Sequence, residues 1–207
     1  MLNTRAAQRG VTLIELVVVF VVLGLLVLAA APSIGAWIGN TNVRNTAQSI
    51  YAGLNRARAE AVRSNRSVRF SLVSTTDTAV LDNSCALSAA GASWVVSVND
   101  PSGACAAAPS ETAAPMIADK AAGGAGARRV VVTAKSATNV AANTITFNAF
   151  GRVADAASIA QIDVDNEVAG GDYRKLRIVV GTGGVIRMCD VKVTDANDPR
   201  KCPPEVV

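Results

Sequence analysis

Few residue types in this 207-residue chain are equipped for chemistry, and they fall in three places. Glu15 is the only charge between Arg9 and Arg44, and it sits inside an apolar run, five residues after Gly10. Four cysteines, Cys85, Cys105, Cys189 and Cys202, all lie downstream of that run. Near the C-terminus, residues 174–201 hold seven basic and three acidic residues. A carboxylate in apolar surroundings needs a paired cation. The run contains none, so the partner of Glu15 must come from elsewhere. The chain has no histidine. This removes Ser-His-Asp and Cys-His nucleophile systems and the commonest metal ligand. No carboxylate pair is marked out for acid–base work, so the chain reads as a non-enzyme with no cofactor and no metal.

Residues 11–31 are 21 residues with one charge. As a helix they are roughly 31 Å long, the thickness of a bilayer core. Arg5 and Arg9 precede them, and the positive-inside rule puts the N-terminus in the cytoplasm and the remainder across the membrane. A secretory signal peptide cut at Ala29-Ala30-Ala31 is one alternative, but the apolar run is too long and contains Glu15. A plain anchor with an incidental Glu15 is another, at a cost on the order of 3 kcal/mol near a helix centre and less near an end.

Downstream, Val43, Ala47, Ile50, Leu54, Ala57 and Ala61 recur at spacings of four and three, one apolar stripe of an amphipathic helix over 32–66. Pro32 lacks an N–H and predicts a kink or break in that helix. From 67 the period changes to two. Strands are expected at 67–74, 93–98, 129–134, 144–147, 158–164, 173–180 and 185–189. Residues 99–128, rich in Ala, Gly, Pro and Ser, read as a long surface loop. The composition is 50% hydrophobic but only 4% aromatic, so the head's core must be built from Val, Ile, Leu and Ala. From 67 onward there are 13 basic and 14 acidic residues, so the head carries no bulk charge that announces a nucleic-acid binder.

Four cysteines in an exported head read as two disulfides. Three pairings exist, and sequence proximity favours Cys85–Cys105 and Cys189–Cys202. A zinc site built from all four is the alternative, without any C-x-x-C to support it. The acidic stretch 163–172 has Val168 where a calcium loop needs glycine, and glycine-rich 123–129 leads into a strand rather than a helix.

The stretch Gly10-Val11-Thr12-Leu13-Ile14-Glu15, with its basic leader, long apolar run and Pro32, resembles the cleavage and methylation signal of type IV prepilins and type II secretion pseudopilins. Val11 stands where phenylalanine is usual. The resemblance implies that a prepilin peptidase cuts after Gly10 and methylates the new N-terminus at Val11. Residues 1–10 would be a cleaved leader and 11–31 a membrane anchor that becomes filament core. Glu15 of one subunit would pair with the N-terminal amine of a neighbour, which supplies the missing cation.

Three further stretches carry a narrower resemblance: NRARAEAVRSNRSVRFSL (55–72), ITFNAFGRV (145–153) and YRKLRIVVGTGGVIRMCD (173–190). Together they resemble the GspH/FimT family of H-type secretion pseudopilins and FimT/FimU-like minor pilins. The tail Asp198-Pro199-Arg200-Lys201-Cys202 leans toward the pilus branch. The implied fold is α+β and pilin-like: a long N-terminal helix, its first half transmembrane, packed on an antiparallel β head over 67–207 with a disulfide-closed tail. The implied function is a minor pilin that helps initiate a type IV pilus at or near its tip, or an H-type pseudopilin of type II secretion. Partners would be other major and minor pilins or pseudopilins and the inner membrane, with a periplasmic head before assembly into pilus or pseudopilus. Some FimT-like pilins are implicated in DNA uptake through a Gly-Arg-x-Arg motif. The matching positions are Gly184-Val185-Ile186-Arg187, with Val185 in place of the first arginine. Double-stranded DNA is therefore a further expected partner, contacted by Arg187, Arg200 and Lys201 through phosphates.

Overall fold

The computed structural model describes residues 12–168 and 173–204, with side chains left undescribed over 28–33. By internal contacts the chain divides into two units, 1–38 and 39–207. One helix, α1 (Leu13–Ser64), runs from the first into the second. It continues through Pro32 rather than breaking there. A proline removes one hydrogen bond, and the remaining bonds of this 52-residue helix carry it past that position.

The second unit holds two antiparallel sheets. In the first, β1 (Val68–Ser74) is central, with β3 (Ser93–Ser97) and then β4 (Ile117–Ala121) on one side. On its other side lie β2 (Ala86–Leu87) at one end and β6 (Thr144–Phe147) at the other. The second sheet has the order β5–β7–β8–β9, with β5 Val130–Ser136, β7 Ile159–Asn166, β8 Leu176–Val180 and β9 Ile186–Asp190.

Every member of the stripe expected on α1, Val43, Ala47, Ile50, Leu54, Ala57 and Ala61, is fully buried. They share one core with Phe70, Trp94, Val96, Ile145 and Phe147 of the first sheet and Ile162, Val164, Ile178 and Val180 of the second. Phe70, Trp94 and Phe147 of the first sheet are the aromatics in this core. Phe70 stacks on Trp94 with ring centroids 5.9 Å apart, and the indole N–H donates to Ser49 Oγ at 3.0 Å. Gly53 admits this ring: a Cβ there would stand 2.6 Å from Trp94 Cδ2.

The expected loop at 99–128 is corrected by the structure. Strand β4 lies inside it, paired antiparallel with β3 across a bulge at Val96/Ser97, and a 3-10 turn follows at Ala125–Arg129. Ile-Ala-Asp-Lys-Ala carries almost no strand propensity of its own. The open edge of β3 recruits it, and tertiary pairing overrides propensity. Two-residue β2 was also not foreseen, being too short to show any period.

Candidate functional site

Gly10 and Val11 lie outside the described residues. The site begins for us at Thr12. Its hydroxyl accepts the amide N–H of Glu15 at 3.4 Å, and its carbonyl accepts that of Leu16 at 3.2 Å. Thr12 is therefore the N-cap of α1, in the Thr-x-x-Glu pattern of a capping box. Glu15 lies in the first turn, where the helix dipole favours a carboxylate. The Thr-Leu-Ile-Glu core thus starts a helix as well as carrying a charge. The cap has a sequence signal of its own, Ser/Thr-x-x-Glu, which Thr12 and Glu15 supply alongside the charge.

Beyond the cap, large apolar side chains are exposed all round the helix, from Leu13 at 83% and Ile14 at 72% to Val27 at 66%. A helix apolar on every face needs an apolar environment on every face. Among the described residues, no helix is long and apolar enough to cross a membrane. The run expected to do so, 11–31, has described side chains only over 12–27.

The cysteines pair as Cys85–Cys105 and Cys189–Cys202. The first is buried with Val73, Val95 and Ile117 in a small second core, and so braces the edge of the first sheet. The second ties the C-terminal tail to β9. Strand alternation puts Arg187 and Cys189 on the same face of β9, and both hold the tail. Arg187 Nη2 donates to the carbonyls of Pro199 (2.7 Å) and Lys201 (3.2 Å). The Asp190 N–H donates to the carbonyl of Arg200 at 2.8 Å.

The three residues expected to contact DNA are thus brought together, but two of them are engaged. Arg187 is bound to tail carbonyls. Arg200 forms an ion pair with Asp198 at 2.7 Å, and that bond holds the Asp198 carboxyl down to about 2. Val185, 65% exposed, presents an apolar tip beside them.

A cavity of about 240 Å³ opens at the C-terminal end of α1, lined by Arg56, Glu60, Arg63, Arg66 and Glu111 among others. Its charges largely satisfy one another. Arg63 grips buried Glu60 at 2.7 and 2.9 Å and reaches Glu111 at 3.1 Å. The bond from Arg63 lowers the Glu60 carboxyl below its ordinary value. Among the described residues, no group of three or more His, Cys, Asp and Glu could hold a metal ion.

Comparison with known proteins adds two family matches. The family model described as type II transport protein GspH matches residues 46–184, and that of the prokaryotic N-terminal methylation motif matches residues 5–31. No curated protein matches the chain. Two crystal structures of the type IV minor pilin FimU of Pseudomonas aeruginosa are similar at 17% and 19% identity. They cover 70% and 72% of this chain and 90% and 88% of their own, each with a TM-score of 0.42. The GspH match spans most of the head, from the buried stripe of α1 to the turn before β9, and the methylation motif stands in front of it. The chain accordingly belongs to the GspH family, as a non-enzymatic subunit of the pilin and pseudopilin type.

Proposed function

We propose that this chain is a minor pilin that helps initiate a type IV pilus and sits at or near its tip. The carrying observation is Glu15: a carboxylate in the first, Thr12-capped turn of a helix whose other residues up to 27 are apolar and exposed. Cleavage after Gly10 places a new cationic amine at Val11, four residues ahead. Glu15 of an incoming subunit pairs with the amine of its neighbour, and the apolar surface passes from the inner membrane, with the head periplasmic, to the filament core. Desolvation makes this pairing selective, since an uncompensated carboxylate in either place is costly.

The family description favours a second reading, an H-type pseudopilin of type II secretion. Deletion separates the two: loss of surface pili and twitching supports the pilus, and exoproteins retained in the periplasm support the secretion machine. DNA uptake is the weaker reading, because Arg187 and Arg200 already have partners in the tail.

The recruitment role is tested with Glu15→Val at the native locus. Leader cleavage, read by the mass of the mature chain, is expected to persist while incorporation into sheared filaments is lost. Normal incorporation of that variant overturns the recruitment role.

A further inference from the structure

Three segments distant in sequence converge on one spot of the head. Arg58 Nε on α1 donates to the carbonyl of Gly151 at 3.2 Å. A Cβ at Gly151 would stand 3.2 Å from Val62 Cγ2, and one at Gly184 would strike the Gly151 carbonyl oxygen. The 148–153 turn, the 181–185 turn and the helix are therefore locked against one another by backbone-close contacts. Both glycines have positive φ, +71° and +80°, which side-chain-bearing residues rarely adopt.

Each segment presents a large apolar side chain to solvent at this spot: Val62 at 53%, Phe150 at 84% and Val185 at 65%. Single exposed apolar residues need no explanation, but three held together on a rigid base do. Beside them stand two cations. Arg58 uses its Nε on a carbonyl, and exposed Arg152 follows Gly151 directly. Among the described residues neither has an ion-pair partner, and exposed Asp155 makes no pair with Arg152.

We propose that Val62, Phe150 and Val185, flanked by Arg58 and Arg152, form the docking surface for a different pilin-type subunit whose matching face is apolar and acidic. Charge chooses the occupant. A second copy of this chain docking through the same patch would set four arginines around one apolar contact with no carboxylate of the patch to pair them, and such like-charge juxtaposition is disfavoured. A partner carboxylate reaching Arg152 while Phe150 fills a partner pocket satisfies both features, and aromatic anchors of this kind dominate interface energetics. This inference rests on the filament-subunit reading.

The test uses the full chain in its native filament system. A photo-crosslinking phenylalanine analogue at position 150 is expected to give a covalent adduct with a second protein bearing an N-terminal methylation motif. Arg152→Glu is expected to abolish the adduct. The combined variant Phe150→Ser/Val185→Ser/Arg152→Glu is expected to lower incorporation into sheared filaments by roughly tenfold or more, the scale of losing an aromatic anchor. Its melting temperature is expected to stay unchanged, because all three side chains are exposed. Wild-type incorporation of the combined variant overturns the docking surface alone. An adduct only with another copy of this chain, or with DNA, also overturns it. Absence of the unaltered chain from filaments overturns the filament reading and the docking surface with it.

Discussion

Asp163 on β7 and Arg177 on β8 stand directly opposite one another and close a two-point ion pair, Nε to Oδ1 at 2.6 Å and Nη2 to Oδ2 at 3.1 Å. Both side chains are more than nine-tenths buried. The same cross-strand row continues from Arg177 to Cys189, where the tail is tied on. Gln161 adds a hydrogen bond to Asp163 at 3.2 Å, and Lys175 approaches it at 3.6 Å. The polar face of the second sheet is therefore an ordered network that runs into the tail.

Arg177→Leu leaves Asp163 buried without its bidentate partner. The expected cost is about 3 kcal/mol of unfolding free energy, because a buried carboxylate loses its bidentate partner and keeps only Lys175 at 3.6 Å and the Gln161 bond. The double variant Arg177→Leu/Asp163→Leu removes both charges and is expected to cost less than the single one. Urea denaturation of the head measures both.

The tail depends on its disulfide and on Arg187. Cys189→Ser/Cys202→Ser opens a loop of sequence separation 13, with an expected loss of about 3 kcal/mol in the loop-entropy model. Since no tail residue beyond 190 belongs to the core clusters, the expected consequence is local: rapid proteolysis after 191 with the two-sheet core intact. Arg187→Ala is expected to accelerate that proteolysis further in the reduced protein. Equal cleavage rates with and without Arg187 would show that its two carbonyl bonds do not hold the tail.

Acid sensitivity should centre on Glu60. The bond from Arg63 lowers its folded-state value below the ordinary 4.5. Its stabilising contribution is therefore complete above that ordinary value and disappears as pH falls through the folded one. Glu60→Gln is expected to flatten the pH dependence of stability below about 4.5, read by melting temperature across an acid series. Asp198 offers a local companion measurement. Its carboxyl is expected to titrate at about 2 by NMR and to return toward 3.8 in Arg200→Ala.

Leu54→Ala, at the centre of the fully buried stripe, is expected to cost about 2–5 kcal/mol by leaving a cavity between helix and sheets. Gly53→Ala, one residue away, fails for the opposite reason: its Cβ meets Trp94 at 2.6 Å. Its expected signature is a shifted indole fluorescence along with lower stability.

The sequence by itself determined those features whose cause is local or periodic. The α1 stripe was legible because the 3.6-residue period places Val43, Ala47, Ile50, Leu54, Ala57 and Ala61 on one line, and that line is what the core buries. Glu15 stands out in the sequence as the lone charge of an apolar run, and the partner proposed for it rests on that reading. Proximity favoured Cys85–Cys105 and Cys189–Cys202 among three possible pairings, and the fold brings those cysteines together. Tertiary structure alone decided what depends on contacts between distant residues. Strand β4 exists because β3 offers it an edge, so Ile117–Ala121 was read as loop. Arg187 read as a free cation in sequence, and folding turned it onto the tail carbonyls, whereas Arg200 pairs locally with Asp198 two residues away. Val62, Phe150 and Val185 are unremarkable apart, and only the close approach of Gly184 to Gly151 makes them one surface. Period and local chemistry are properties of neighbouring residues, whereas edges, ion-pair choice and patches arise when the folded backbone brings remote segments together.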